Sequence, residues 1–202
     1  MGTGISMAAM NAGFEVVMIE QNQDAIDKAL KKITSTYDRS VRLGRMNSQQ
    51  QNEIMNLFSG KTDISQLKDT DLVIEAVFEN MDVKKEVFIK LNQICNQNCI
   101  LASNTSYLDI NEIAKVVDNP LRVIGLHFFS PANIMKLLEI VVADETSDDT
   151  VCTAFNLAKK MKKIPVRSGV CDGFIGNRIL SKYLVATLHR QHSRSTRGAL
   201  AA

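Results

Sequence analysis

The chain has 202 residues, of which 45% are hydrophobic and 23% charged, proportions of an ordinary globular protein with enough apolar side chains for a core. Ten Gly and 3 Pro exclude a collagenous or low-complexity chain, and no apolar run approaches the ~18 residues of a membrane span. The net charge of +2 is unevenly laid out: through Asp172 there are 19 basic and 22 acidic residues, and the remaining 30 hold five basic residues and no acid.

The opening, MGTGISMAAMNAGFEVVMIE, presents Gly2 and Gly4, a small-residue helix stopped at Gly13, and a strand over Glu15 to Glu20. It has no basic segment ahead of an apolar one, so no secretory signal is read. Asp24 is expected to cap a helix running towards Gly44. Ser48 with Gln51 three residues on reads as the capping box of a second, antiparallel helix ending near Gly60. Strands follow at Asp71 to Val77, Cys99 to Ser103, Arg122 to Phe129, Lys136 to Val142 and Lys163 to Arg167, each a short β-branched or apolar run. Asp109 with Glu112 marks one helix start, and Ser147 another that reaches about Met161. Short strands alternating with amphipathic stretches predict a doubly wound α/β sheet. Its helical hairpin follows the strand at Glu15 to Glu20, and an antiparallel pair follows Gly125.

Gly2 and Glu20 are spaced as the third glycine of G-x-G-x-x-G and the acid about 20 residues beyond it. In a dinucleotide fold that glycine lets helix and strand pack closely, and the acid accepts the ribose hydroxyls. The first β-strand and the first two glycines would then precede Met1. Taken alone, a glycine-rich start with a strand-ending acid also arises by chance. His127, in LHFF, is the single histidine before the tail. Its ordinary pKa near neutrality suits a general base, and a hydrogen-bonded core histidine is the alternative. Glu139 interrupts KLLEIVV, where a carboxylate is costly unless it has a partner. Pairing His127 with Glu139 explains both, whereas an edge position facing water would explain Glu139 alone. Ala102 to Ser106, ASNTS, follows a strand, where ligands gather in α/β sheets, although Ser, Asn and Thr are also ordinary turn residues. The four cysteines are too few for a disulfide scaffold, and C-x3-C without a nearby histidine is poor metal spacing. A reducing intracellular compartment and no bound metal are expected: the cytoplasm, or a peroxisome or mitochondrion in a eukaryote.

VIEAVFEN (Val73 to Asn80), ASNTS, GLHFFSPANIMKLLEIV (Gly125 to Val141) and DGFIGNRIL (Asp172 to Leu180) resemble, in order, the signatures of the NAD-binding domain of 3-hydroxyacyl-CoA dehydrogenases of fatty-acid β-oxidation. The FFSP and GFIGNR wording is closer to the dehydrogenase part of multifunctional hydratase/dehydrogenase enzymes. The resemblance covers Met1 to about Tyr183. It implies a Rossmann-like fold, NAD as cofactor, and oxidation of a (3S)-3-hydroxyacyl-CoA to the 3-ketoacyl-CoA. It implies that His127 is the general base and that Glu139 orients it. Ser106 and Asn177 would hydrogen-bond the substrate oxygen and the base, and Gly2, Glu20, Glu79, Lys84 and Asn104 would serve the nucleotide. Lys84 also reads as a solvated helix lysine and Asn177 as a solvent-facing residue. Glu20 would meet the 2′-phosphate of NADP with like charge. An acyl-CoA is thus the expected partner, with no nucleic acid and no membrane.

Residues 1–183 are expected to form the NAD-binding unit, incomplete at its start. Residues 184–202 read as an irregular basic tail in place of the family's helical domain for dimerisation and acyl-CoA binding. On that reading the isolated chain is poorly stable and inactive. Two other functions stay open: a non-catalytic remnant or nucleotide-binding module, and an NAD-dependent dehydrogenase of a free hydroxy acid.

Overall fold

A computed structural model describes residues 1–185 and 187. Helix α1 (Gly2–Met10) turns through Gly13, at φ 83, into β1 (Val16–Ile19). The hairpin follows as α2 (Gln23–Arg42) and α3 (Ser48–Met55). Both caps lie earlier than the sequence reading placed them. Asn22 rather than Asp24 accepts the Ala25 amide at 2.9 Å. Asn47 and Gln50, rather than Ser48 and Gln51, form the capping box. In each case two cap-forming residues compete within one turn, and the more N-terminal one takes the extended backbone a cap needs. Helix α3 also stops at Met55, because β2 (Phe58–Lys61) intervenes before the expected end at Gly60.

Strand β2 was not foreseen, and it pairs in parallel with β1 from Val16↔Phe58 to Ile19↔Lys61. The remaining elements are β3 (Leu72–Glu75), α4 (Met81–Ile94), β4 (Ile100–Ser103), α5 (Ile110–Ala114), β5 (Val123–Phe128), β6 (Leu137–Val142), α6 (Asp148–Lys160) and β7 (Ile164–Gly169). They form a five-stranded sheet in the order β3-β4-β5-β6-β7, parallel throughout except that β5 and β6 are antiparallel. Among the described residues, no strand joins β1 to β3. Residues 176–185 and 187 are helical, so the irregular tail does not begin at 184; 186 and 188–202 lie outside the described residues.

Two apolar layers flank the five-stranded sheet. On one side Phe88 and Leu91 of α4 and Ile110 and Ile113 of α5 cover Leu101, Val123 and Val141. On the other, Ile5 and Ala8 of α1 and Val151, Ala154 and Ala158 of α6 cover Ile124, Leu126, Phe128, Leu138 and Ile140. Helices on both faces of a mostly parallel sheet make the Rossmann-like α/β architecture that was expected. Strand β5 is buried along its whole length. Its alternation puts Ile124, Leu126 and Phe128 towards α1 and α6, and Val123, Gly125 and His127 towards α4 and α5. A β-carbon on Gly125 would lie 2.6 Å from Val141 Cβ, so only glycine lets β6 approach here. That close approach sets the antiparallel register on which the site depends.

Candidate active site

Antiparallel pairing places His127 of β5 directly opposite Glu139 of β6. Their side chains meet on the α4/α5 face, with His127 Nδ1 2.6 Å from Glu139 Oε2. Both are almost fully buried, with side chains 5% and 1% exposed. The other carboxylate oxygen, Oε1, accepts the amides of Ile175 at 3.0 Å and Gly176 at 2.7 Å. Both oxygens are therefore engaged, which removes the desolvation problem of a carboxylate inside a strand. The imidazole packs against the rings of Phe129, 4.5 Å away, and Phe174, 5.7 Å away. A carboxylate at Nδ1 places the proton of neutral histidine there, so the lone pair lies on Nε2. No protein group among the described residues bonds Nε2. The geometry is that of a histidine base held by a carboxylate.

The 104–107 loop stands at the carboxyl end of β4, beside β5. Glu79 organises it: its Oε1 accepts the Thr105 hydroxyl at 2.5 Å and the amides of Ser106 at 2.7 Å and Tyr107 at 3.2 Å. Asn177 reaches the same loop, its Nδ2 lying 3.4 Å from the Ser106 carbonyl oxygen rather than from its hydroxyl. Asn104 accepts the Phe128 amide at 2.9 Å, which ties the loop to the strand residue after His127. Lys84 is not a solvated lysine. It is fully buried, with Nζ 2.7 Å from Glu75 and 3.3 Å from Glu79. Its ammonium serves the loop's internal ion pairs. Burial pushes the Glu79 carboxyl up, but hydrogen bonds from Thr105 and Ser106 and the charge of Lys84 outweigh it and hold the group below its ordinary value.

Glu75 was missed. It is buried, with Oε2 accepting the Ser103 hydroxyl at 2.7 Å and Oε1 accepting Lys84 at 2.7 Å and the Val77 amide at 2.6 Å. The signal was available, since Glu75 interrupts LVIEAV just as Glu139 interrupts KLLEIVV. Ser106, Asn104, Glu79, Lys84 and Asn177 thus meet in or at one loop, which Asn104 ties to the strand residue next to His127.

Gly2 opens α1, and Glu20 directly follows β1, which pairs with β2 in the smaller sheet. A β-carbon on Gly2 would find only Met18 Cε, at 4.0 Å, so close packing does not require glycine there. Packing is tighter at Gly4, whose β-carbon would lie 3.2 Å from both the Ala132 Cβ and its amide nitrogen, so that segment would have to give by a few tenths of an ångström. Met1 offers α1 no side-chain cap. The first α1 amides that find an acceptor are those of Gly4 and Ile5, both on the Met1 carbonyl. The amides of Gly2 and Thr3 remain as donors to an anion at the helix start. Among the described residues, three or more His, Cys, Asp or Glu never gather as a metal site would require.

The sequence profile described as "3-hydroxyacyl-CoA dehydrogenase, NAD binding domain" matches residues 1–171. The chain belongs to that family. It is 41% identical over 188 residues to the peroxisomal bifunctional enzyme of Cavia porcellus, a match spanning 93% of this chain and 26% of that protein. It is 38% identical over 188 residues to a peroxisomal fatty acid beta-oxidation multifunctional protein of Arabidopsis thaliana, again 93% of this chain and 26% of the relative. Among solved structures, 3-hydroxybutyryl-CoA dehydrogenase from Escherichia coli superposes with a TM-score of 0.85 at 35% identity, covering 87% of this chain and 37% of that one. The chain thus spans about a quarter of the length of these curated relatives. No helix of the described residues is long and apolar enough to cross a membrane.

Proposed function

We propose that residues 1–183 are the NAD-binding part of a longer β-oxidation enzyme that oxidises (3S)-3-hydroxyacyl-CoA to 3-ketoacyl-CoA. The observation that carries this reading is the buried His127–Glu139 pair, 2.6 Å apart, with Nε2 left unbonded. The names of the relatives support the substrate class, and a peroxisomal setting with it.

The residues at the α1 start fit a dinucleotide. The amides of Gly2 and Thr3 would face its diphosphate, and the Glu20 carboxylate, which bonds no group among the described residues, would accept ribose hydroxyls. When bound, NAD supplies the hydride acceptor. His127 Nε2 takes the proton of the 3-hydroxyl as the carbon–oxygen double bond forms. Glu139 stabilises the resulting imidazolium and keeps the ring in place through Nδ1. Ser106 and Asn177 hold the substrate oxygen at the mouth of the site, on the loop that Glu79 keeps in shape. Phe129 and Phe174 shield the imidazole from water.

The test is reduction of acetoacetyl-CoA by NADH and by NADPH, in the protein extended to the length of its relatives. We expect turnover with NADH at least tenfold faster than with NADPH, and loss of turnover in His127→Gln. Equal rates with the two cofactors would remove the role of Glu20, and activity surviving in His127→Gln would remove the base.

A further inference from the structure

Away from the dyad, one face of the molecule carries a charge arrangement that this chemistry does not use. A recess of about 430 Å3 opens between the later turns of α1, the 133–136 segment before β6, and the turn from α6 into β7. Lys136, Lys160, Lys162 and Lys163 line it, with Asn11 and Asn133, and no Asp or Glu does. The ion pairs among the described residues all lie elsewhere. Through Asp172 the chain has more acidic than basic residues, so four cations around one concavity without an anion run against its composition.

Structural roles account for part of this cluster. Lys160 stands in the last turn of α6, where a cation is favoured by the helix dipole. Lys163, 9% exposed, donates to the carbonyl oxygens of Ala132 and, at 2.8 Å, Met135. Those carbonyls orient its ammonium without neutralising it, and burial pushes its pKa down. Neither role explains Lys136, which comes from a different segment. Lys162, at φ 55, is the left-handed residue that closes α6: its amide returns to the Lys159 carbonyl and that of Lys163 to the Ala158 carbonyl, both at 2.9 Å, so the helix end accounts for its backbone. Like charges around a concave, low-dielectric surface focus a positive potential into it, and a polyanion seated there would relieve their repulsion. Asn11 Oδ1 already accepts the Tyr37 hydroxyl at 3.0 Å, which leaves its side-chain NH2 group as a donor. The volume lies in the ~300–1,000 Å3 range of small-molecule sites.

We propose that this recess binds a diphosphate group, inorganic or carried by an organic ester, at a site separate from that of the dinucleotide. The separation follows from α1: Ala8 and Asn11 line the recess, about 9–14 Å along the helix axis from Gly2.

Calorimetric titration of the 202-residue chain with inorganic pyrophosphate tests the proposal, with methyl diphosphate as the ester arm. We expect one site with a Kd below 1 mM, weakened by salt, and tighter for whichever source the recess is built to hold. Lys136→Met with Lys160→Met, both at exposed positions, should weaken binding at least tenfold. Lys28→Met with Lys31→Met, exposed on α2, should leave it unchanged. In the unaltered chain, pyrophosphate should shift the amide resonances of residues 133–136 and 160–163. Absence of saturable binding, an unchanged Kd in the Lys136/Lys160 variant, or shifts confined to residues 2–4 would each overturn it.

Discussion

Gly176 donates its amide to Glu139 at 2.7 Å, and a β-carbon on it would lie 2.8 Å from Phe129 Cζ. One glycine therefore lets the carboxylate and the aromatic wall of the histidine come together. Alanine at this position must push Phe129 aside or pull the amide off Glu139. Overpacking of this kind costs about 1–3 kcal/mol. We expect Gly176→Ala to lower the Tm by several degrees and to shift the His127 ring resonances, read by thermal melting and NMR.

The two oxygens of Glu139 do different work, which makes Glu139→Gln a sharp test. Only the carbonyl oxygen of glutamine can accept the amides of Ile175 and Gly176, so its NH2 group must face His127 Nδ1. The neutral ring then carries its proton on Nε2, and the base is lost while the shape is kept. We expect the 15N shifts of His127 to report the reversed tautomer, with turnover in the extended enzyme falling about 10³–10⁴-fold. An unchanged tautomer would contradict this account of the dyad.

How far the sequence foretold this arrangement depended on how strong each local signal was. Strands β4, β5 and β6 show as apolar runs because burial on both faces demands them. Strand β2 does not show, since FSGK contains one apolar residue and all four positions are at least partly exposed. His127 and Glu139 were legible because each is out of place among its neighbours. Lys84 was not, because MDVKKEVFIK alternates like any solvated helix. Its burial comes from Glu75 and Glu79, partners that only the tertiary structure brings to it.

That burial makes Lys84 a test of the loop scaffold. Removing one partner of a buried ion pair costs about 3–5 kcal/mol, because the other charge stays behind without compensation. Lys84→Met should therefore destabilise the chain by that amount and loosen residues 103–107. Adding Glu75→Gln removes the stranded charge, and we expect the double variant to be more stable than Lys84→Met alone. Denaturant unfolding of the single and double variants measures the coupling. A double variant at least as unstable as the sum of the two single variants would refute the ion-pair explanation.

The last expectation concerns pH and the same loop. Glu79 is partly exposed and holds the Thr105 hydroxyl and the Ser106 and Tyr107 amides on one oxygen. Although burial raises its pKa, the bonds from Thr105 and Ser106 and the charge of Lys84 prevail, and it lies below 4.5. A carboxyl whose pKa is lowered by folding stabilises the folded state above its unfolded pKa and loses that contribution as pH falls through the folded value. The window therefore opens just under pH 4.5 and extends downward. Lys84 still has Glu75 2.7 Å away when Glu79 is protonated, so the loop should loosen before the fold does. We expect the amide resonances of Ser106 and Tyr107 to titrate together with a midpoint below 4.5, and Glu79→Gln to abolish that titration. A midpoint at or above 4.5 would mean that the loop's hydrogen bonds do not favour the ionised carboxylate.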